Sequence, residues 1–454
     1  MPLRFSFTPF PVVGIPAARL REYVEGNDPV SGLPLSREII DALTKPLTSE
    51  EKKPVVRPAA PQRSRLLKAD TEENLQRLFI ENGWTDGLPI VLPTEERVAE
   101  MLEGTSHAPD EVVGQMAVAH RGEFTSYTVE KAAINAVMAG ARPEHFPVIL
   151  AIASTEQPAF PSSTTSFAGA VIVNGPIRSE IAMNAGLGAL SPFNFANSVI
   201  GRAWTLMTIN LGNARLGDTL LASTGHNLNY NNMCCAENEE QSVWEPFHVE
   251  KGFKRDESVV SVFRGWSVIN SMGAANSVRP ATEETAIMLK AFPALHSVAL
   301  LVMDPLVAKG LKEQGFQTKQ DVARWLSENT KIPAGQYWGA DVIYAFNRPL
   351  ARAGVEPFAT WSTLPSDALI APFHDPSGIN IVVVGGESNP LWLTTDFRFV
   401  KSASVDKWRP KVGLKRDERP IRMPAGVKCS DDLCGMPRHL HGEGSLEGRQ
   451  FKKQ

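Results

Sequence analysis

Leu75, Leu78 and Phe79 share one face at helical spacing, and with the acidic start after Thr71 they predict an amphipathic helix closed by Asn82 and Gly83. Thr94 with Glu95 and Glu96 opens a second helix, and Thr128 caps a third, TVEKAAINAVMAG, which ends at Gly140 and Pro143. EHFPVILAIAST continues as a helix whose proline sits early enough to be tolerated. The small and β-branched run SFAGAVIVNGPI reads as a buried strand closing on a tight turn at Asn174 and Gly175. A loop carrying Gly186 and Gly188 then precedes a long helix ending near INLG. DESVVSVFRGWSVIN reads as a strand, ATEETAIMLKAF as a helix and HSVALLVMDP as a strand; two more helices, PLVAKGLKEQG and TKQDVARWLSENT, precede strands in DALIAPF and INIVVVGG. This alternation predicts an α/β fold with a mixed or largely parallel sheet and flanking helices.

Interruptions in the pattern suggest boundaries. Residues 1–70 read as a proline-rich N-terminal arm, 71–275 as an α/β domain, 276–403 as a second α/β lobe and 404–454 as a basic, irregular C-terminal tail. At 454 residues, 43% hydrophobic and 21% charged, the composition is that of a globular protein with room for a large core. The balance of 46 basic and 50 acidic residues gives no electrostatic reason to expect nucleic acid or a membrane surface. Prolines break the N-terminal apolar stretch, and no later run reaches spanning length. Together with four cysteines in so long a chain, this points to a cytoplasmic protein with free thiols.

One stretch follows neither period. GHNLNYNNMCCAENEEQSVWEPFHVEKGF, from Gly225 to Phe253, gathers two histidines, two adjacent cysteines and five glutamates. A thiolate needs a partner that lowers its pKa from roughly 8.5. His226 and His248 have that chemistry, although carboxylates beside a thiol act in the opposite direction. Glu237 and Glu239 are candidate proton-transfer carboxylates, and Asn174, the Gly186 to Gly188 backbone, Lys131 and Cys235 are candidate substrate contacts. Lys131 and Asn135 share a face of the third helix, where a solvated charge is the commoner outcome. The Gly-x-Gly satisfies no dinucleotide or phosphate-loop fingerprint, so no nucleotide cofactor is expected. Zinc or another divalent ion on His226 and His248 is the competing reading. In the tail, Cys429, Cys434, His439 and His441 offer zinc-ligand types at short, irregular spacing.

The strings VEKAAINAVMAG, VIVNGPI, NSVIGRA, CCAENEE and WEPFHVEKGF resemble a bacterial family of poorly characterised proteins associated with small proteins that carry a selenocysteine-or-cysteine, Gly, Ser, Cys motif. The resemblance spans roughly residues 84 to 265. It implies that the cysteine two positions before AENEE, Cys234, is the reactive one, with Cys235 in an apolar position; the Gly-Ser-Cys string itself is missing here. The expectation is a thiol-dependent hydrolase or lyase acting across a carbon-heteroatom bond of a small molecule. Cys234 would be the nucleophile, His248 the main proton-transfer group and His226 its alternate. The rivals are the metal-dependent hydrolase or lyase, a redox enzyme, and a non-catalytic assembly subunit. The apolar arm leads to the further expectation of a homo-oligomer without nucleic-acid or membrane partners.

Overall fold

The computed structural model describes residues 4–411 apart from 10–11, 13–14, 50, 53–64, 119–124, 272–278 and 387. The expected C-terminal Cys/His cluster lies outside the described residues. The described residues belong to one compact unit.

Its frame is two four-stranded sheets. We number their strands β1 (Ala168–Asn174), β2 (Met233–Ala236), β3 (Val259–Gly265), β4 (Val268–Asn270), β5 (Ala299–Met303), β6 (Ile379–Val383), β7 (Trp392–Thr395) and β8 (Arg398–Ser404). The first sheet has the order β8-β3-β1-β2 and the second β6-β5-β7-β4. Within each, one edge pair is parallel (β1 with β2, β5 with β6) and the remaining pairings are antiparallel. The sheets are therefore mixed, in agreement with the expected α/β class.

Side-chain alternation sets the layers. From the first sheet, Val171, Val173, Ala236, Val260 and Val262 point into a core shared with the helices α1 (Val129–Met138), α2 (Phe146–Ala153) and α3 (Phe195–Asn210). The intervening Ala170, Ile172, Cys235 and Phe263 meet Leu300, Val302, Val382 and Val384 of the second sheet face to face. On its far side, Leu301, Met303, Ile381 and Val383 pack against α4 (Ala281–Leu289), α5 (Pro305–Glu313) and α6 (Lys319–Asn329). The result is a helix–sheet–sheet–helix sandwich in which β1, β2, β3, β5 and β6 are covered on both faces, which explains why β1, β3, β5 and β6 read as largely apolar runs.

The two sheets repeat one design. β1, β2 and β3 relate to one another as β5, β6 and β7 do: a parallel neighbour on one side and an antiparallel neighbour on the other. Register extends the match, because Glu237 N–H continues the β2 ladder onto Val173 O just as Val384 N–H continues β6 onto Met303 O. Asn174, the last residue of β1, and Asp304, the first after β5, thus occupy equivalent positions. The fourth strands are exchanged: β4 follows β3 but pairs with β7, and β8 follows β7 but pairs with β3.

Several expectations shift. DESVVSVFRGWSVIN is two strands that part at Trp266, and the supposedly patternless central stretch contains β2, fully buried as Met233, Cys234, Cys235 and Ala236. The arm holds two helices, Ala17–Glu25 and Leu35–Thr44, in which only Leu35 is buried. The start expected for the tail belongs to the body, since Val405 and Trp408 are buried in the α1–α3 core.

Candidate functional site

The expected site residues separate into two groups. Asn174, Glu237, Glu239 and His248 form an ion network at the carboxyl ends of β1 and β2. His226, Cys234 and Gly188 line a cavity of about 950 Å³.

The network begins where β2 runs out. Glu237 is fully buried, and its carboxylate accepts from Asn174 Nδ2 (2.7 Å), Phe247 N–H (2.7 Å), Lys319 Nζ (2.9 Å) and Val383 N–H (3.3 Å). Lys319, on the first turn of α6, is itself buried and also lies 3.8 Å from Glu250. Glu239 Oε1 accepts from Asn174 Nδ2 (2.9 Å) and Gly175 N–H (2.8 Å) and pairs with Arg178 at 3.2 Å. Arg178 also holds Glu240, whose carboxyl is lowered below its usual range chiefly by that contact. His248 Nε2 is bonded to Arg255 O (3.3 Å), while its buried Nδ1 lies 3.9 Å from Glu239 without a hydrogen bond. Each carboxylate is thus matched by buried donors and cations, as charges taken out of water require. Glu237 and Glu239 tie the strand ends, α6 and Arg178 together at this junction. Asn238 extends the link, its N–H donating to Val383 O (2.7 Å) and its Nδ2 to Gly385 O (2.8 Å), so the chain steps here from the first sheet to the second.

The cavity lies at the equivalent carboxyl edge of the second sheet. Asp304 and the Val384 to Gly386 backbone form one wall; the 187–191 loop, Asn197, the 226–234 segment and Trp266 to Val268 form others. Ligand sites in open α/β sheets favour this edge of parallel strands. Asp304 also caps α5 by accepting from Leu306 N–H (2.8 Å). Gly386 is required by close approach, because a Cβ there would stand 2.5 Å from Leu187 N. Among the described lining residues Asp304 carries the formal charge, and the rest of the polar surface is amide and hydroxyl with the His226 imidazole and the Trp266 and Trp392 indoles.

Cys234 sits at the amino end of β2, with its side chain turned toward α3. Gly201 makes this possible: a Cβ on it would stand 1.8 Å from Asn231 O and 2.9 Å from Cys234 Cβ. Burial, then the neighbouring Cys235, push the Cys234 thiol well above its ordinary value, with a Gly201 backbone bond opposing. Burial and then Glu237 push Cys235 up to about 12. Among the described residues no hydrogen bond links Cys234 to His226 or His248. Leu228 N–H donates to His226 Nδ1 (3.2 Å), which leaves Nε2–H to donate to Trp266 O (3.2 Å). With both ring nitrogens so engaged, His226 offers no free position to a thiol proton or an ion. The expected Cys–His pair is therefore not assembled, and the resting thiol is protonated.

The remaining expectations fall as follows. Cys235 is enclosed between the two sheets, and Asn174 is bound within the network. Lys131 is exposed on α1, and Gly186 is bound to Asn184 Oδ1 beside the cavity loop without lining the cavity. His226 and His248 belong to different surroundings, which does not fit an ion shared by the two, and among the described residues no group of three or more His, Cys, Asp or Glu is arranged to hold a metal. Among those residues, too, no helix is long and apolar enough to cross a membrane. Arg178, Lys319 and Asp304 were missed. Arg178 and Asp304 follow strand ends by only a few residues, a signal available from chain position, but Lys319 lies 82 residues from Glu237.

Compared with protein-family models, curated proteins and solved structures, the chain finds no match.

Proposed function

We propose that this chain binds a small polar molecule, neutral or cationic, in the cavity at the carboxyl edge of β5 and β6. What carries the reading is the lining: Asp304 with amides and hydroxyls, the Trp266 indole and the His226 imidazole, whose two nitrogens are already engaged, and no lysine or arginine among the described lining residues. Such a surface rewards hydrogen bonding and cation–π contact and gives an anion no counter-charge. The test is thermal-shift and tryptophan-fluorescence titration with glycerol, glucose, choline and betaine against acetate and phosphate, on the native chain and on Asn270→Trp, which fills the cavity from an exposed position on β4. Saturable responses confined to the first set and lost in Asn270→Trp support the proposal; selective binding of the anions with an unchanged response in the variant refutes it.

A second reading keeps the thiol. Cys234 lines the same cavity, which supports a hydrolase or lyase step on a carbon-heteroatom bond once a bound molecule brings a base to the neutral sulfur. Turnover that survives Cys234→Ser, with a substrate found by the titration above, removes this reading. The arm supports self-association: Val30 and Leu43 are 71% and 82% exposed. A monomeric mass by light scattering at working concentration would count against that assembly.

A further inference from the structure

The outer half of the first sheet places like charges opposite each other. Arg398 on β8 is the direct register partner of Arg264 on β3. Side chains so paired stand about 5 Å apart at Cβ, and two cations there repel. Arg264 is only partly exposed. It donates to neutral acceptors, Gln157 Oε1 (3.1 Å) and Pro158 O (3.4 Å), which use two of its five N–H groups. Burial and then the charge of Arg398 lower its pKa to about 10. Lys401, farther along β8, donates to Thr155 O (3.4 Å) of the same loop after α2. The acids nearby are turned elsewhere: Glu156 accepts from Gln115 N–H (3.0 Å), and Asp396 accepts from Trp266 and Ser267 N–H (2.8 Å each). None of the three cations makes an ion pair among the described residues.

We infer that Arg264 and Arg398, with Lys401 beside them, form an oxyanion-binding site for a phosphate or carboxylate group. The loop after α2 offers Thr155 O, Gln157 Oε1 and Pro158 O to Lys401 and Arg264, which accounts for their hydrogen bonds; it does not explain why a second arginine is set opposite the first. A guanidinium pair matches the oxygen spacing of such a group bidentately and loses its mutual repulsion when the anion binds. The cavity described above has no cation among its described lining residues, so this is a separate site with the opposite preference.

The test uses the full chain in low-salt buffer, titrated with inorganic phosphate, phenyl phosphate and acetate, with sodium chloride at matched ionic strength as reference. Thermal midpoint and isothermal calorimetry are the readouts. Saturable binding beyond the chloride response is expected, weakened about tenfold or more in Arg398→Ser. Arg398 is exposed, so this variant keeps the fold. Preference for phenyl phosphate over inorganic phosphate marks an ester as the natural group, and preference for acetate marks a carboxylate. A response no larger than that to chloride, or one unchanged in Arg398→Ser, overturns the assignment.

Discussion

Replacing Lys319 by methionine tests whether the charge junction holds the two sheets in place. Methionine keeps length and apolar volume but removes the cation 2.9 Å from Glu237, leaving a fully buried carboxylate with the Asn174 amide and two backbone N–H groups. Glu250, 3.8 Å from the same ammonium, loses that cation and keeps the Gln320 Nε2 hydrogen bond (3.2 Å). Breaking one side of a buried pair costs about 3–5 kcal/mol, because the remaining charge is desolvated without compensation. Urea unfolding of Lys319→Met should show that loss in the midpoint with an unchanged slope. Glu237→Gln should also destabilise, since an amide must turn one N–H toward existing donors. The double variant should be more stable than the sum of the single losses by at least about 1 kcal/mol, the signature of direct coupling. A loss below about 1 kcal/mol in Lys319→Met, or strict additivity, would show that the pair is dispensable and that apolar contact alone joins the sheets.

Further outcomes follow from other sites. Burial, then the charge of Arg142, lowers His145 to about 4; the unfolded chain, with a histidine pKa near 6.5, binds the extra proton between those values, so this contribution is complete above about pH 6.5 and falls away toward pH 4. The loss is about 2 kcal/mol at pH 5, measured as a pH-dependent urea midpoint that flattens in His145→Gln. Native Cys234 and Cys235 should resist iodoacetamide at pH 7.5 and label only on unfolding, as peptide mass spectrometry will report; rapid native labelling of Cys234 would contradict the protonated thiol. Gly201→Ala should cost about 1–3 kcal/mol, because its Cβ meets Asn231 O at 1.8 Å, and thermal denaturation will measure the loss.

Local signals carried far into this fold. Thr71, Thr94 and Thr128 cap the helices they were expected to cap, and the strand ending at Asn174 and the strands around Leu301 and Ile381 lie where their apolar runs place them. β2 was hidden because Met, Cys, Cys and Ala are buried on both faces, which erases alternation and leaves a run too short to outweigh its polar flanks. The site was harder to read for a different reason. Clustering along the chain grouped Cys234 with Glu237 and His248, yet in an extended strand Cys234 and Glu237 are about 10 Å apart, and opposite ends of β2 serve different surroundings. The partners that decide their chemistry come from the second sheet, Val383 and Asp304, and from the helix α6 packed on it, Lys319, and no local period encodes which distant element will face which carboxylate.

The exchanged fourth strands bear on how the protein is made. Ser261 on β3 and Ser402 on β8 share a hydrogen bond of 2.8 Å across 141 residues of chain. At roughly 5–20 residues per second, a ribosome needs about 7–30 s to supply that partner. Throughout this interval the outer edge of β3 presents unpaired backbone, with Val260 and Val262 beside it, a template for pairing with any other nascent chain. Premature termination anywhere before β8 therefore leaves the first sheet open-edged even though three of its strands are complete. Synthesis must run nearly to the end of the described body before either sheet can be finished.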